Sequence, residues 1–340
     1  MAQEDIQVRF FQYLKEKLAP GLTLVDELAE LLCVSNDSAY RRIRGETSLS
    51  MNELSKLSKH FGVSIDKMIG SDSSTVSFNF QPLNESSFNF MDYLRSIRQQ
   101  MTFIHEADEK EVVYMANEIP LFHLMHAPEL AAFKLFFWQK TILDFSSFTN
   151  KKFKLGQKNV DVNEVSRNIR DLYCRIPSVE IYHAETIDTT LKQIEYYYVT
   201  GYFEDRSEAM ILLERLKKLV DHIKAQCEVG FKFKPTEDGN PPQHVPYVKE
   251  GNYVVYHNEV LHTDNTILVR MGDRYLSFLT SNGISSLSTT SEWFYESTSN
   301  ALSILKRRST LISGTSEKER NSVFLNYHDK IDRLMKKLSF

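Results

Sequence analysis

The sequence predicts a mainly α-helical protein with a smaller α+β part, and three observations support this fold class. Apolar residues recur at helical spacing in residues 1–70 and again in 89–233. Residues 234–246 are polar and rich in turn-forming residues, and after them the apolar spacing changes to two, which is typical of strands. A chain of 340 residues also exceeds one small domain. We therefore expect a helical domain at 1–70, a linker at 71–88, a mainly helical domain at 89–233 and an α+β module at 247–340.

The N-terminal region carries the clearest local pattern, which is a helix, a tight turn and a second helix within residues 23–45. Leucines recur at helical spacing in 24–32, so the first of these helices buries one apolar stripe. Ser35 is a good N-cap for a short helix at about 36–44, and Gly45 supplies its C-terminal stop. A helix at about 6–18 precedes this pair. A capping box at 50–53 opens a helix through Phe61, and a last short helix is expected around 65–69.

This region resembles a known family in the stretch LAELLCVSNDSAYRRIRGETSLSMNELSKLSKHFGVSIDKMIG. It is similar to the lambda-repressor-like, XRE-type helix-turn-helix family of bacterial transcriptional regulators. The resemblance covers roughly the first 70 residues and implies a five-helix bundle that enters the major groove of DNA with the helix at 36–44. Cys33 departs from the family pattern, which usually has glycine at this turn because the backbone there often adopts a positive φ.

The resemblance also implies which side chains contact DNA, because the family reads bases from the N-terminal turn and outer face of the second motif helix. The candidate residues are Thr23, Asn36, Asp37, Ser38, Tyr40, Arg41, Arg44, Thr47 and Ser48. Arg41 suits a guanine O6/N7 pair and Asn36 an adenine N6/N7 pair. Asp37 either accepts a hydrogen bond from a cytosine N4 or stabilises the helix N-terminus through the dipole.

The flanking residues are expected to position the domain on the DNA backbone. Arg44, Thr47 and Ser48 would contact phosphates, and Thr23 would cap the first motif helix against the backbone. Arg42 faces the bundle, where we expect it to pair with Glu27 or Glu30.

The charge distribution favours a dimer. Residues 1–70 hold nine Lys/Arg and ten Asp/Glu, a net charge of −1, whereas residues 35–45 hold three Arg and one Asp. Positive charge is therefore concentrated on the presumed reading helix, and one copy should bind DNA weakly. Useful affinity would come from a homodimer on two half-sites of double-stranded DNA.

The overall composition is that of an ordinary globular protein, with 42% hydrophobic and 25% charged residues and a net charge of −4. No apolar run approaches the ~20 residues that span a membrane, and the acidic, amphipathic N-terminus does not read as a signal peptide. The three cysteines include no close pair, so disulfides and a cysteine zinc site are not expected. We expect a cytoplasmic protein that needs no cofactor and no membrane.

The rest of the chain is expected to contain several further elements. Val76, Phe78 and Phe80 alternate within the linker, which therefore either is free or carries a short docked strand. The expected helices lie at about 88–104, on both sides of Pro128 within 120–143, three times between 162 and 228, and after capping boxes at 289–292 and 316–319. The expected strands lie at 111–115, 252–259, 265–271, 274–280 and 310–312. The mixture of elements after residue 247 indicates a sensor-like α+β module.

Outside the first 70 residues no catalytic motif is evident. His123 and His126 lie three apart and could share a metal, but two histidines do not close a site, so packing is the preferred interpretation. His257 and His262, near Glu259 and Asp264, form either a functional cluster or a hairpin with polar loops. No phosphate-binding glycine loop or nucleophile elbow occurs.

We therefore predict a sequence-specific DNA-binding transcriptional regulator that is not an enzyme. Its C-terminal part would dimerise and sense a small-molecule or protein effector. The alternative is an interaction scaffold whose N-terminal bundle docks on protein, and an enzyme controlled by DNA binding ranks last.

Overall fold

A computed structural model describes residues 6–16, 18, 22–63, 75–80, 83, 85, 88–156, 160–236, 247–259, 265–281 and 284–339. The chain forms two compact units, Met1–Ser77 and Phe78–Phe340. In the part of the chain that is described, no helix is long and apolar enough to cross a membrane.

The N-terminal unit is helical in its described residues. Its helices are α1 (Ile6–Glu16), α2 (Leu24–Leu32), α3 (Asn36–Ile43) and α4 (Met51–Phe61). Each contributes to one apolar core, in which Leu14, Leu28, Ala39 and Leu57 are fully buried. Each fully buried leucine stabilises such a core by about 2 kcal/mol. The fifth helix expected around 65–69 lies outside the described residues.

Local capping explains where α4 begins and ends. The Ser50 hydroxyl accepts from the Glu53 backbone N–H, and the Glu53 carboxylate accepts from the Ser50 N–H at 2.8 Å, which confirms the predicted capping box. Gly62 ends the helix with φ +60°, in the left-handed region that glycine adopts without a steric penalty.

The second unit is one eight-stranded sheet covered by helices. Its strands are β1 (Asn79–Phe80), β2 (Lys110–Met115), β3 (Ser178–His183), β4 (Tyr253–Asn258), β5 (Thr266–Met271), β6 (Arg274–Ser281), β7 (Ser285–Thr289) and β8 (Thr310–Leu311). Their spatial order in the described sheet is β1-β7-β6-β5-β2-β3-β4-β8. The central strands β2, β3 and β4 pair in parallel, and the other pairs are antiparallel.

The helices cover both faces of this sheet. They are α5 (Phe90–Glu106), α6 (Leu121–Leu124), α7 (Pro128–Phe137), α8 (Val160–Arg175), α9 (Asp188–Thr200), α10 (Ser207–Val229), α11 (Glu292–Arg307) and α12 (Glu317–Leu338). A π-helical turn, Trp138–Ile142, and a 3₁₀ turn, Ser146–Phe148, follow α7. The large core lies on the face that carries Val112 and Tyr114. On the opposite face, Tyr295, Leu302 and Leu305 of α11 pack against Val113, Met115, Ile181 and Leu268.

The structure corrects the expected division between 89–233 and 247–340. Strands β2 and β3 precede the proposed boundary and β4 to β8 follow it, yet all belong to one sheet and one compact unit. The proposed boundary therefore falls within one compact unit. Asn79 and Phe80 pair with β7, which agrees with the docked-strand alternative for the linker.

Two strands and two caps differ from the expectations. Strands β3 and β7 were not predicted from the sequence. The helix α11 takes Ser291 as its N-cap in place of the Thr289 capping box, because the Thr289 hydroxyl accepts from the Ser291 N–H at 3.2 Å. Ser316 precedes α12 but makes no side-chain hydrogen bond to the helix, and the prediction of a capping box at 316–319 was therefore also wrong. The break at Pro128, by contrast, is confirmed, with Pro128 in the first turn of α7.

Candidate nucleic-acid interface

The turn between α2 and α3 is fixed by caps on both sides. Cys33 adopts φ 55°, the left-handed conformation that the turn requires, and its N–H donates to the Glu30 carbonyl at 3.2 Å. The Val34 N–H donates to the Ala29 carbonyl at 3.0 Å. The Ser35 hydroxyl then accepts from the Ser38 N–H at 3.3 Å and starts α3. These local bonds orient α3 relative to α2.

The two faces of α3 differ in burial. Ala39 is fully buried and Ile43 is half-buried in the core of the unit. The candidate residues Asn36, Asp37, Tyr40, Arg41 and Arg44 are exposed. The helix therefore presents amide, carboxylate, phenol and guanidinium groups to solvent from one short element.

The two exposed arginines share one carboxylate. Arg41 Nε lies 3.8 Å and Arg44 Nε 3.2 Å from the oxygens of Glu46, which directly follows the stop at Gly45. The Arg41 carbonyl also accepts from the Glu46 N–H at 2.9 Å, so the backbone holds Glu46 next to both guanidinium groups. Sequence reasoning missed Glu46, although its position after an arginine-rich helix is visible in the sequence.

Arg42 does not pair with Glu27 or Glu30 as expected. It reaches Glu53 of α4 instead, with its Nε and Nη2 at 3.2 and 2.9 Å from Glu53 Oε1. Its Nη1 donates to the Ser38 hydroxyl at 2.6 Å, so the Ser38 side chain already has a hydrogen-bond partner within α3. Glu27 lies 3.2 Å from the His60 ring nitrogen. Because Glu53 also caps α4, Arg42 ties the helix α3 to the start of α4.

Thr23 and Asn36 meet at Asp26. Thr23 is the N-cap of α2, as expected, with its hydroxyl accepting from the Asp26 N–H at 3.2 Å and also bonded to the Asp26 carboxylate. The Asn36 amide donates to Asp26 Oδ1 at 3.2 Å. A contact between Asn36 and an adenine therefore requires this bond to open or to be shared.

Gln7 positions the loop that carries Thr47 and Ser48. The Gln7 side-chain amide donates to the carbonyls of Arg42 and Thr47, both at 2.7 Å, and its oxygen accepts from the Leu49 N–H at 2.8 Å. Thr47 is half-buried and Ser48 is exposed. Sequence reasoning missed Gln7, because these contacts join residues 35 to 42 positions apart and leave no local pattern.

His123 of the second unit belongs to a buried polar cluster around Glu180. His123 Nε2 lies 3.0 and 3.1 Å from the two carboxylate oxygens of Glu180. The hydroxyls of Tyr173, Tyr182 and Tyr253 also donate to this carboxylate. Burial raises the pKa of Glu180, but the electrostatic interactions with His123 and Lys232 and the hydrogen bonds from His123 and Tyr173 together outweigh burial and lower the pKa to about 2.

A second group of histidines adjoins this cluster. The His126 ring centroid lies 4.8 Å from that of His222, and burial lowers the pKa of His126 well below its usual value and that of His222 to about 3. No group of three or more His, Cys, Asp or Glu side chains among the described residues could hold a metal ion. His257 is buried in β4, whereas His262 and Asp264 lie outside the described residues, so the cluster proposed around them stays a prediction.

Comparison with known proteins supports the N-terminal assignment. A family model described as helix-turn-helix matches residues 14–68. This match spans α2, α3 and α4 and the exposed residues of α3. No curated protein and no solved structure matches the chain.

Proposed function

Since residues 14–68 form an XRE-type, lambda-repressor-like helix-turn-helix domain, we propose that the protein is a sequence-specific DNA-binding transcriptional regulator. One observation carries the proposal. The helix α3 is fixed by caps at both ends while Tyr40, Arg41 and Arg44 remain exposed. A short helix in this setting is the element that such domains insert into the major groove.

We expect the side chains of α3 and the following loop to make two kinds of contact with DNA, one to base edges and one to phosphates. Arg41 lies in the last turn of α3 and can pair with the O6 and N7 of a guanine. Arg44, together with Thr47 and Ser48 of the following loop, would contact phosphates and set the register of the domain. Both guanidinium groups must leave Glu46 to do so, which lowers the affinity of one copy.

Because one copy is expected to bind DNA weakly, we infer that the protein acts as a homodimer. A homodimer would place two copies of α3 on two half-sites, with the second unit supplying the contact between copies and a site for an effector. We assign no enzymatic role to the second unit and place the protein in the cytoplasm, where it would meet DNA.

The proposal is tested by measuring the affinity of the full-length protein for a selected DNA site in three variants. Arg41→Ala should weaken binding by about 1–3 kcal/mol and relax the preference at one base pair. Arg44→Ala should weaken binding to all sequences alike and reduce the dependence on salt. Lys56→Ala removes an equal charge from the exposed surface of α4 and serves as the control. Unchanged specificity in Arg41→Ala would refute the assignment of the reading helix.

A second candidate is a bundle that docks on protein. The observation in its favour is that Glu46 already pairs with both exposed arginines. Salt separates the two candidates, because DNA binding weakens steeply between low and physiological ionic strength whereas an apolar protein interface does not.

A further inference from the structure

The second unit contains a cavity of about 180 Å³ between α5 and the sheet. Its floor is made by β2, β5 and β6, and its walls by α5, the start of α6 and the π-helical turn after α7. Aromatic rings of Tyr93, Tyr114, Phe122, Trp138 and Phe278 line it. Since an apolar cavity of roughly 150 Å³ accepts a benzene ring, this one has room for a single ring with a short side chain.

Polar and apolar groups lie at opposite ends of the cavity. The register pairs Val112 with Val269, and these residues close one end together with Met101 and Ile104, all of them buried. At the other end, Glu118 follows β2, Asn265 precedes β5 and Thr280 lies near the end of β6. The register pairs Met115 with Thr266 and Thr266 with Leu279, which brings these three polar residues to one edge.

The polar end is also the open end. Thr280 and Ser286 at this end are exposed, whereas Met101, Ile104, Val112 and Val269 at the apolar end are buried. A ligand that enters here would bury its ring and leave its polar group near Glu118 and Asn265. The Asn265 backbone carbonyl already accepts from the Thr280 N–H at 3.1 Å, and its side-chain oxygen accepts from the Asn117 N–H at 2.7 Å, so this end is rigid.

The lining carries one acidic side chain and no basic one among its described residues. Glu118 is the carboxylate, and burial raises the pKa of Tyr93 to about 12 and that of Tyr114 further, so both phenols stay neutral. Lys134 is bonded to Glu118 from outside the lining and lies 5.9 Å from the Trp138 ring centroid. The faces of the aromatic rings carry partial negative charge, which favours a cation or a polarised N–H or O–H.

We propose that this cavity is a ligand site for a small aromatic molecule that carries a neutral or cationic hydrogen-bond donor, such as an aromatic amine or alcohol. The ring occupies the closed end and the donor faces Glu118 and Asn265. The further role of this ligand as the effector rests on the proposed DNA-binding function, whereas binding itself does not.

Tryptophan fluorescence provides a direct assay, because the chain has two tryptophans and Trp138 lines the cavity. In the full-length Trp293→Phe variant, Trp138 is the sole tryptophan and reports on occupancy. The probes are 2-phenylethylamine, 2-phenylethanol and 3-phenylpropionate, which share a ring and a short chain. We expect the amine and the alcohol to change the Trp138 emission with a Kd below about 1 mM, and the carboxylate to bind at least about tenfold more weakly.

Two cavity variants test the location. Ile97→Trp fills the cavity from α5, and Gln100→Trp adds an indole at an exposed lining position of the same helix. Isothermal titration calorimetry should show at least about tenfold weaker amine binding in both. Ile304→Trp, at an exposed position on α11, is the matched control and should bind as the parent does. If the amine and the alcohol both fail to bind the parent, if the carboxylate binds as well as they do, or if Gln100→Trp binds as tightly as Ile304→Trp, the proposal is wrong.

The effector role has a separate readout. The affinity for a selected DNA site is measured with and without 2-phenylethylamine at saturation, in the parent and in Gln100→Trp. A change of about threefold or more in the parent alone supports coupling between ligand and DNA. Ligand binding without any DNA binding would overturn the proposed function and leave the cavity assignment standing. DNA binding that 2-phenylethylamine leaves unchanged would overturn the effector role.

Discussion

Glu46→Gln should tighten DNA binding, because Glu46 competes with DNA for Arg41 and Arg44. The two guanidinium Nε atoms lie 3.8 and 3.2 Å from the Glu46 carboxylate. The side chains are 55%, 60% and 47% exposed for Arg41, Arg44 and Glu46, so solvent screens both pairs strongly. Exposed pairs of this kind contribute roughly 0.2–1 kcal/mol each. Removing both pairs therefore makes the free energy of DNA binding more favourable by about 0.4–2 kcal/mol, which lowers the Kd roughly 2- to 30-fold.

The assay is fluorescence anisotropy of a labelled duplex with the full-length protein at several salt concentrations. Glu30→Gln is the matched control, because it makes the same change in net charge at an exposed position on α2. The gain in Glu46→Gln should shrink as salt increases, since both the ion pairs and the phosphate contacts are screened. Affinity no greater than that of Glu30→Gln at low salt would refute the idea that Glu46 restrains the arginines.

Three further predictions concern stability and pH. Cys33→Gly should stabilise the N-terminal unit by about 0.5–1 kcal/mol, because Cys33 has φ 55°, which a side chain resists. Calorimetry should show a melting transition about 2–8 °C higher, and Cys33→Ala should leave that transition unchanged. Gln7→Ala removes one hydrogen bond to the Arg42 carbonyl of α3 and two to the loop at Thr47 and Leu49. Urea unfolding should show a loss of roughly 2–3 kcal/mol together with weaker DNA binding, and unchanged values for both would contradict its positioning role. His126 and His222 are buried, and burial lowers their pKa values. Below about pH 6.5 the unfolded state therefore binds more protons than the folded state. The free energy of unfolding of the second unit should then fall by about 1.4 kcal/mol per pH unit for each histidine as the pH decreases. His222→Gln should reduce that slope by about 1.4 kcal/mol per pH unit in urea unfolding between about pH 6 and 5, and His60→Gln in the other unit should leave it unchanged.

Local sequence signals account for the helices of the N-terminal unit. The N-caps Thr23, Ser35 and Ser50 each bond a backbone N–H within three residues, and the leucines of α2 follow the helical period. Such helices can be predicted from the sequence because the capping and apolar residues lie within one or two turns of the helix ends that they determine. The partner of Arg42 was not readable, because Glu53 is brought to it by the packing of α3 against α4.

The sheet was harder to predict, because its pairing is non-local. The strand β3 is six residues between two helices and carries Glu180 at its centre, which is a poor signal for a buried strand. Glu180 is tolerated there because His123 and Tyr253, 57 and 73 residues away, satisfy its carboxylate. The strand β7 reads SSLST and has a weak strand propensity, yet it pairs with β6 over five residues.

The cavity was equally invisible in the sequence. Its lining combines α5 with strands that follow more than 150 positions later, such as β5 and β6. Glu118 and Asn265 are unremarkable in their local sequences and become a polar pair through the register of β2 with β5.

Whether α3 reads a DNA sequence is tested by selecting bound duplexes from a random library with the full-length protein and with Arg41→Ala. For the parent we expect an enriched inverted repeat, with half-site centres about one helical turn apart or a multiple of that. In Arg41→Ala the preference at one base pair of each half-site should be lost. An identical motif from both proteins, or no enrichment by the parent with and without 2-phenylethylamine, would contradict the account.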